Sequence, residues 1–193
     1  MSEVSSVSET DLARRRAASP AEGADGLDST ADGLDSTEFK QLFRQHPAGV
    51  AVITFAGPEG PMGFTATSVI SVSAAPPVLA FAIAATSTTW QTLRRARTVL
   101  VNFLDAPSAH LSTQFAQRGA DRFAGVECRT LPTGEPLLTE AAAWVRARVL
   151  EHLPTGDSHL VTLHALEAQI ARTSTPMVYH DRTYHGLGEH SRL

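Results

Sequence analysis

The sequence has a single cysteine and no excess of positive charge, and these two absences exclude several classes of protein. Cys128 alone cannot form an internal disulfide or a metal site of paired cysteines. The formal net charge is −4 at pH 7, which argues against nucleic acid as the main partner. No stretch approaches the roughly 20 apolar residues of a membrane-spanning helix, and the N-terminus lacks the basic-then-apolar order of a secretory signal. We therefore expect a cytoplasmic protein with neither a nucleic-acid nor a membrane partner.

The common sequence motifs of nucleotide and metal sites are also absent. There is no G-x-G-x-x-G after a predicted strand, no P-loop and no H-E-x-x-H. The eight histidines are dispersed and show no recognisable ligand spacing. The sequence therefore predicts no metal site, and any redox chemistry would have to be carried by an organic cofactor.

The first 37 residues differ in composition from the rest of the chain. They contain eight acidic and three basic residues, a net charge of −5, and no aromatic residue. Residues 24–30 are repeated without change as residues 31–37. A segment so poor in apolar surface is typical of disorder, so we predict a disordered acidic tail over 1–37. The alternative is an added N-terminal turn that packs on a partner subunit.

The remaining residues predict one mainly β domain over 38–188, followed by a short C-terminal tail, 189–193. Asp35 and Glu38 have the spacing of a capping box, which begins the first helix. Most connections are too short for parallel crossovers, so we expect about seven mainly antiparallel strands in a closed or nearly closed barrel, with three short helices. The predicted helices are 38–45, 90–96 and 109–117, and the predicted strands are 50–55, 64–72, 78–83, 98–104, 145–151, 158–170, 177–180 and 183–187.

Two segments rich in serine and threonine are candidates for a binding site. Residues 63–73 place small hydroxyl side chains on a strand, where they leave room for a flat ring. Residues 86–90 place hydroxyls and backbone N–H groups at a predicted helix start, which suits a phosphate. Each segment also has an ordinary structural interpretation, as a water-facing strand and as an N-cap.

Three further segments carry groups that suit ligand binding. Residues 118–125 form a glycine-containing loop with two arginines and an aromatic, and 156–159 form a turn that leads into a strand. Residues 179–185 hold His180 and Tyr184, whose rings could stack on a nicotinamide or a flavin. A solvated loop, core tyrosines and surface histidines are the alternative interpretations.

In this order and spacing, four stretches resemble the flavin reductase family, whose members supply reduced flavin to two-component monooxygenases. They are residues 43–52, 63–77, 121–125 and 178–187, and the resemblance runs from about 39 to 187. It implies a split β-barrel of the FMN-binding type, a homodimer with flavin near the subunit interface, and NADH or NADPH as the reductant of FMN or FAD. It also implies a flavin-dependent monooxygenase as partner, reached by diffusing reduced flavin.

The resemblance also implies roles for individual residues. Those that would line the isoalloxazine ring are Thr65, Ala66, Thr67 and Ser68. The phosphate would be met by Ser87, Thr88 and Thr89. The polar edge of the ring would be held by the backbone of Asn102, Phe103 and Leu104, and the other end of the flavin would lie near Phe115, Arg122 and Phe123.

Two positions depart from the family pattern. Many relatives have a histidine directly after the Gly-Asp of residues 156–157, beside the nicotinamide, whereas here Ser158 stands there and His159 follows. Because a one-residue shift on a strand points a side chain to the opposite face, Ser158 and His159 are both open candidates for that role. Thr67 replaces an asparagine that is frequent in the family, which removes an amide from the site.

The mechanism we expect is hydride transfer from nicotinamide C4 to flavin N5, with the protein holding the reacting atoms roughly 3–3.5 Å apart. This step needs no acid or base. One alternative is an oxidoreductase whose tightly bound flavin acts on another small molecule. The other is a non-catalytic flavin-binding or redox-sensing module.

Overall fold

The structure, a computed structural model, describes residues 33–193. Residues 1–32, which carry most of the predicted tail, lie outside the described residues. Helix α1 (Ser36–Arg44) begins where the capping box predicts. The Asp35 carboxylate accepts hydrogen bonds from the backbone N–H groups of Thr37 and Glu38, and the Glu38 carboxylate accepts one from the Asp35 N–H. These bonds satisfy N–H groups that a helix start otherwise leaves without partners.

Two more α-helices follow, α2 (Trp90–Leu93) and α3 (Ala109–Ala116), with 3-10 turns at Ala106–Ser108 and Glu189–Ser191. Helix α2 is a single turn, shorter than the predicted 90–96. Among the described residues, no helix combines the length and the apolar character needed to cross a membrane.

The main sheet has seven strands, all paired antiparallel, in the order β3-β2-β6-β9-β10-β5-β4. Its β-branched and apolar side chains alternate between an inner and an outer face, as the strand period of two requires. Its strands are β2 (Ala51–Gly57), β3 (Gly60–Ala66), β4 (Ile70–Ala74), β5 (Pro77–Ala84), β6 (Thr98–Phe103), β9 (Ala143–Thr155) and β10 (Ser158–Ile170).

Two smaller sheets complete the fold. One pairs β11 with β1 and β12, and the other pairs β7 with β8. The β11–β12 hairpin turns at Asp181 and Arg182, both with positive φ, at the predicted turn. The strands of these sheets are β1 (Ala48–Gly49), β7 (Cys128–Thr130), β8 (Pro136–Leu138), β11 (Met177–His180) and β12 (Thr183–Gly186).

The main sheet curves until its two edges approach each other. The edge strands β3 and β4 are joined by residues 67–69, and Phe64 on β3 packs edge-on against Phe81 on β5, with ring centroids 5.8 Å apart. The enclosed core contains side chains from β2, β3, β5, β6, β9 and β10 together with α2. The mainly β antiparallel class and the nearly closed barrel are therefore as the sequence predicted.

Two predictions about the strands are wrong. The strand predicted over 64–72 is two strands, because the chain breaks at Ser68. The Ser68 hydroxyl donates to the carbonyl of Ala82 and accepts from its N–H, so a side chain takes the place of a backbone ladder at this point. The predicted count of about seven strands is too low, since the described residues hold twelve strands. The short strands β1, β7 and β8 give no alternating pattern of their own.

Two buried carboxylates form ion pairs that link segments of the barrel to one another. Asp105, after β6, accepts hydrogen bonds from the Arg172 guanidinium at 2.9–3.1 Å, and Glu135 pairs with Arg146 at 3.0 Å. Burial alone would raise the pKa of the Asp105 carboxyl, but hydrogen bonds from Ser108, Ser174 and Arg172 lower it overall. Asp105 is therefore held ionised, and Arg172 joins the segment after β10 to the end of β6.

We expect Gly63→Ala to destabilise the protein by about 1–3 kcal/mol, because its new Cβ atom has no space. That atom would lie 2.9 Å from the Ile53 carbonyl oxygen and 2.9 Å from the Phe115 ring. Gly49→Ala is the matched control, since its Cβ would meet no atom within 4 Å. Urea unfolding measures both variants, and an equal effect of the two substitutions would contradict the packing argument.

Candidate active site

A cavity of about 450 Å³ opens between β3, β5 and α3, and it brings five of the predicted binding residues together. We call it the central cavity. Its apolar lining residues are Ala82, Ala84 and Ala116, which are exposed, and Phe64, Ile83 and Phe115, which are buried. The predicted binding residues that line it are Thr65, Ser87, Thr88, Phe115 and Arg122.

The hydroxyl-rich segment after β5 forms one end of the central cavity. Ser87 and Thr88 line it, and neither hydroxyl has a hydrogen-bond partner among the described residues. Thr89 is buried, and its hydroxyl accepts a hydrogen bond from Arg122 at 3.2 Å. Because α2 is one turn long, it has little helix dipole, and the groups here that could meet an anion are the hydroxyls and the arginines.

The four predicted ring-binding residues do not face one site. The Thr65 hydroxyl lies in the central cavity wall and donates to the Ser112 carbonyl of α3 at 2.6 Å. Ala66 points into the barrel core. Thr67 and Ser68 line a different cavity, of about 590 Å³, between helix α1 and the hairpin β11–β12. Alternation along β3 separates Thr65 from Ala66, and Thr67 and Ser68 lie beyond the end of this strand.

Residues 102–104 are not brought to the central cavity. Asn102 is 0 % exposed, and its side chain bonds to the Val52 carbonyl, the Thr54 hydroxyl and the Leu138 N–H. Strand β6 lies inside the sheet, so its backbone groups are used on both sides. The Leu104 N–H donates to Val50, and the Phe103 carbonyl accepts from Ala142. Within this chain the segment therefore holds the sheet together and lines neither wall of the cavity.

Arg122 stands between the central cavity and a second, smaller one. This second cavity, of about 270 Å³, is lined by residues 61–63, 88–89 and 119–123, and it shares Thr88, Gly119 and Arg122 with the central cavity. Burial lowers the pKa of the Arg122 guanidinium. Phe123 lines the second cavity and packs edge-on against Phe115, with ring centroids 5.0 Å apart.

The two catalytic candidates at the start of β10 point to opposite faces. His159 pairs with Ile83, whose side chain is in the barrel core, and its ring stacks on Trp90 with centroids 4.0 Å apart. Ser158 pairs with Ala84, a residue of the central cavity, so its side chain lies on the cavity face of the sheet. Its hydroxyl donates to the Asp157 carboxylate at 2.9 Å. Of the two candidates, only Ser158 shares a face with the cavity.

His159 belongs instead to an aromatic cluster at one end of the barrel. His152 packs edge-on against the same Trp90, with centroids 5.3 Å apart. The His152 Nε2 and His159 Nδ1 atoms are buried and have no hydrogen-bond partner among the described residues. Burial lowers the pKa of His152, and the charge of His159 lowers it further. Trp90 directly follows residues 86–89, so its packing in this cluster fixes the end of the hydroxyl-rich segment.

The C-terminal hairpin is joined to α3 by a residue that the sequence analysis missed. The Tyr184 hydroxyl and the Ser112 hydroxyl are 2.7 Å apart, and Tyr179 packs on Tyr184 with centroids 5.1 Å apart. Ser112 therefore contacts both Thr65 and Tyr184. A serine on the same helix face as Leu111 and Phe115 was the available signal. His180 lies 5.9 Å from His185, ring to ring, and outside the central cavity.

Arg118 also lines the central cavity, so two guanidiniums reach it. Among the lining residues that the structure describes, none carries a carboxylate, an imidazole, a thiol or an amine. The described residues also contain no group of three or more His, Cys, Asp or Glu side chains placed to hold a metal. The cavity thus combines apolar walls, free hydroxyls and positive charge.

A concave cavity with apolar lining and a few polar and charged groups is typical of a small-molecule or cofactor site. A family model described as a flavin reductase like domain matches residues 43–188, and the chain belongs to this family. The resemblance stated from the sequence, and the split-barrel fold it implied, are thereby confirmed.

Individual relatives and solved structures indicate the same family. The chain is 36 % identical to an NADH:FMN oxidoreductase of Rhodococcus erythropolis over 159 residues, which cover 79 % of this chain and 82 % of that protein. It is similar to the crystal structure of a flavin reductase domain protein from Arthrobacter sp. FB24, with a TM-score of 0.76, 33 % identity, and 80 % and 96 % of the two chains covered. It is also similar to BorF, the flavin reductase component of a bacterial two-component tryptophan halogenase, with a TM-score of 0.74, 26 % identity, and 80 % and 99 % covered.

We expect the protein to lose stability in acid because of His152 in the aromatic cluster. Because folding lowers the pKa of His152 below its ordinary 6.5, the unfolded chain binds more protons as the pH falls through 6.5. Stability should fall by at most about 1.4 kcal/mol per pH unit for this one group. His152→Leu should flatten the dependence of the melting temperature on pH between 7.5 and 5.5, whereas His190→Leu, at an exposed site, should not. An unchanged slope in His152→Leu would remove His152 as its source.

Proposed function

We propose that the protein is an NAD(P)H-dependent flavin reductase that reduces FMN or FAD and supplies the reduced flavin to a partner monooxygenase. The observation that carries the proposal is the central cavity, where apolar side chains meet two free hydroxyls and two arginines. A flavin carries an apolar aromatic ring and an anionic phosphate, and the two ends of the cavity match these two parts.

The cavity fits a flavin in size and in chemistry. Its volume of about 450 Å³ lies within the usual range for small-molecule sites, roughly 300–1,000 Å³. Ala82, Ala84 and Ala116, which are exposed at the cavity, provide apolar contact for the ring. The hydroxyls of Ser87 and Thr88 and the guanidinium of Arg118 provide donors for the phosphate.

The composition of the cavity favours hydride transfer over other chemistry. The flavin, when bound, supplies a ring that accepts a hydride from the reduced nicotinamide. No described lining residue can act as a general acid or base, and hydride transfer is a reaction that needs none. The residues of this chain bind and orient the two cofactors, and Ser158, opposite the lining residue Ala84, is the catalytic candidate on the cavity face of the sheet.

Several lining residues are exposed, which suits a flavin that exchanges with solution. Thr86, Thr88 and Arg118 are open to solvent at the cavity mouth. A cofactor held at an open site can leave after reduction, and this supports a diffusing flavin rather than a permanently bound one. Transfer to a monooxygenase then requires no stable complex between the two proteins. We place the protein in the cytoplasm, where its single cysteine would be kept reduced.

We also propose that the protein is a homodimer and that helix α1 forms at least part of the subunit interface. The helix buries none of its residues, although Phe39, Leu42 and Phe43 form an apolar stripe and are 51 %, 59 % and 53 % exposed. Ile70 beside it is 55 % exposed. A stripe of large apolar side chains on an otherwise polar helix is typical of an interaction surface. Thr67 and Ser68 line the cavity under this helix, and Thr65, two residues earlier, lines the central cavity, so the flavin would lie close to the interface.

The function is tested by mixing the purified protein with FMN or FAD and with NADH or NADPH, and following nicotinamide absorbance. We expect nicotinamide oxidation with at least one of the four pairs. If neither flavin accelerates it, the reductase proposal fails. Flavin that stays bound through purification would indicate the prosthetic-group alternative.

Thr88→Val should raise the KM for flavin about tenfold, the effect of losing one hydrogen bond to a charged group. The hydroxyl is free in the chain, so the melting temperature should be unchanged. Thr113→Val, at an exposed position of α3 that lines neither cavity, is the matched control. Equal KM values in the two variants would place the phosphate elsewhere.

The dimer is tested by sedimentation velocity on the wild type and on Phe43→Asp. We expect a dimer for the wild type and a shift towards monomer for the variant, because the new charge cannot be buried without a partner. Gln41→Asp adds the same charge outside the apolar stripe and should leave the dimer intact. A monomeric wild type would contradict the proposal.

A further inference from the structure

We propose that His159 is a positioning residue for the flavin phosphate, on which it acts through Trp90. This inference rests on the proposed function, which assigns that phosphate to the hydroxyl-rich segment, residues 86–89. His159 lines neither the central cavity nor the second one, and its ring stacks on the residue that directly follows the segment. It would therefore determine how much more tightly the protein binds FMN than riboflavin, which has the same ring and no phosphate.

The hydroxyl-rich segment offers donors that the chain leaves unused. The hydroxyls of Ser87 and Thr88 line the central cavity without a partner, and the backbone N–H groups of Thr86 and Thr88 also have no acceptor among the described residues. Within the segment, the Ser87 N–H donates to the Ala84 carbonyl and the Trp90 N–H donates to the Ser87 carbonyl, both at 3.0 Å. Donors on so short a turn bind a phosphate well when contacts from outside the segment hold them in place beforehand.

The start of strand β10 holds the segment at both ends. Before the segment, the Ala85 N–H donates to the Asp157 carbonyl at 2.9 Å. After it, the Trp90 indole lies on the His159 ring, with centroids 4.0 Å apart and 19° between the ring planes. Trp90 is 6 % exposed, so its indole cannot shift without disturbing the packed core. The His159 ring therefore fixes the position at which the segment ends.

His159 contributes the flat face of its ring to this contact. Its Nδ1 atom is buried and has no hydrogen-bond partner among the described residues, so no polar contact of that atom accounts for a histidine here. A buried polar atom without a partner costs about 1–3 kcal/mol. Two parallel rings gain contact that an aliphatic side chain does not provide. A phenylalanine should therefore replace His159 in this role, whereas a valine should not.

The position of His159 on β10 separates it from the part of the cavity that would hold the flavin ring. His159 pairs with Ile83 and packs on the core side of the sheet, whereas Ser158 pairs with Ala84, which lines the central cavity. A substitution at residue 159 leaves the exposed apolar lining of the cavity unchanged. Its effect should therefore fall on the phosphate and not on the ring, which a general loss of structure would not achieve.

The test compares FMN with riboflavin in binding titrations followed by flavin fluorescence. His159→Val keeps a β-branched residue on the strand and removes the ring. It should weaken FMN binding about tenfold, the effect of losing one hydrogen bond to a charged group, and leave riboflavin binding unchanged. His159→Phe should bind FMN as the wild type does. His164→Ala, on the opposite face of β10 and outside both cavities, is the control and should change neither affinity.

If His159→Val does not fold, Trp90→Phe carries the same comparison, because it shrinks the stacked ring and leaves β10 unaltered. Weaker FMN binding and unchanged riboflavin binding are again expected. The proposal is overturned if the wild type binds FMN no more tightly than riboflavin, if His159→Val leaves FMN affinity unchanged or weakens both flavins equally, or if His159→Phe binds FMN no better than His159→Val. A failed reductase assay would instead contradict the proposed function, while the two affinities still decide the role of His159.

Discussion

The candidate site depends on how closely helix α3 lies against strand β3. Gly63 has no side chain, and the Phe115 ring and the Ile53 carbonyl occupy the space that a Cβ would need. Two residues further on, the Thr65 hydroxyl donates to the α3 backbone at Ser112. The Gly63 carbonyl in turn receives the Arg122 guanidinium. Strand, helix and loop are therefore fixed to one another within a few residues, and the cavity is the space that remains beside this junction.

Charge is distributed so that the cavity is positive although the chain as a whole is negative. The buried carboxylates of Glu135 and Asp105 are each paired with an arginine, and none of these residues lines the cavity. Arg118 and Arg122 have no such partner among the described residues. Because paired charges cancel over short distances, the two unpaired guanidiniums dominate the local field. An anionic ligand is attracted to this end of the barrel despite a net charge of −4.

Much of the fold could be predicted from the sequence, because strand periodicity and turn residues are local signals. The capping box at Asp35 and the turn at Asp181 are examples, since each depends on residues next to it in the chain. The family resemblance also identified the segments that line the central cavity. The face of the sheet on which each side chain lies was harder to predict, because it depends on the register between strands. Ala66 points into the core while Thr65 lines the cavity, and no local pattern shows that the backbone of Asn102 is used by strands on both sides.

The pairing of β1 with β11 joins Ala48 to Tyr179, which are almost the whole domain apart in sequence. Tyr184 then meets Ser112 on the helix that forms the cavity wall. During synthesis on the ribosome, the barrel strands up to β10 can pair before these last residues emerge. Helix α3 receives its final support only when the chain is nearly complete, so ligand-binding ability should arise late in folding, after the main sheet has formed.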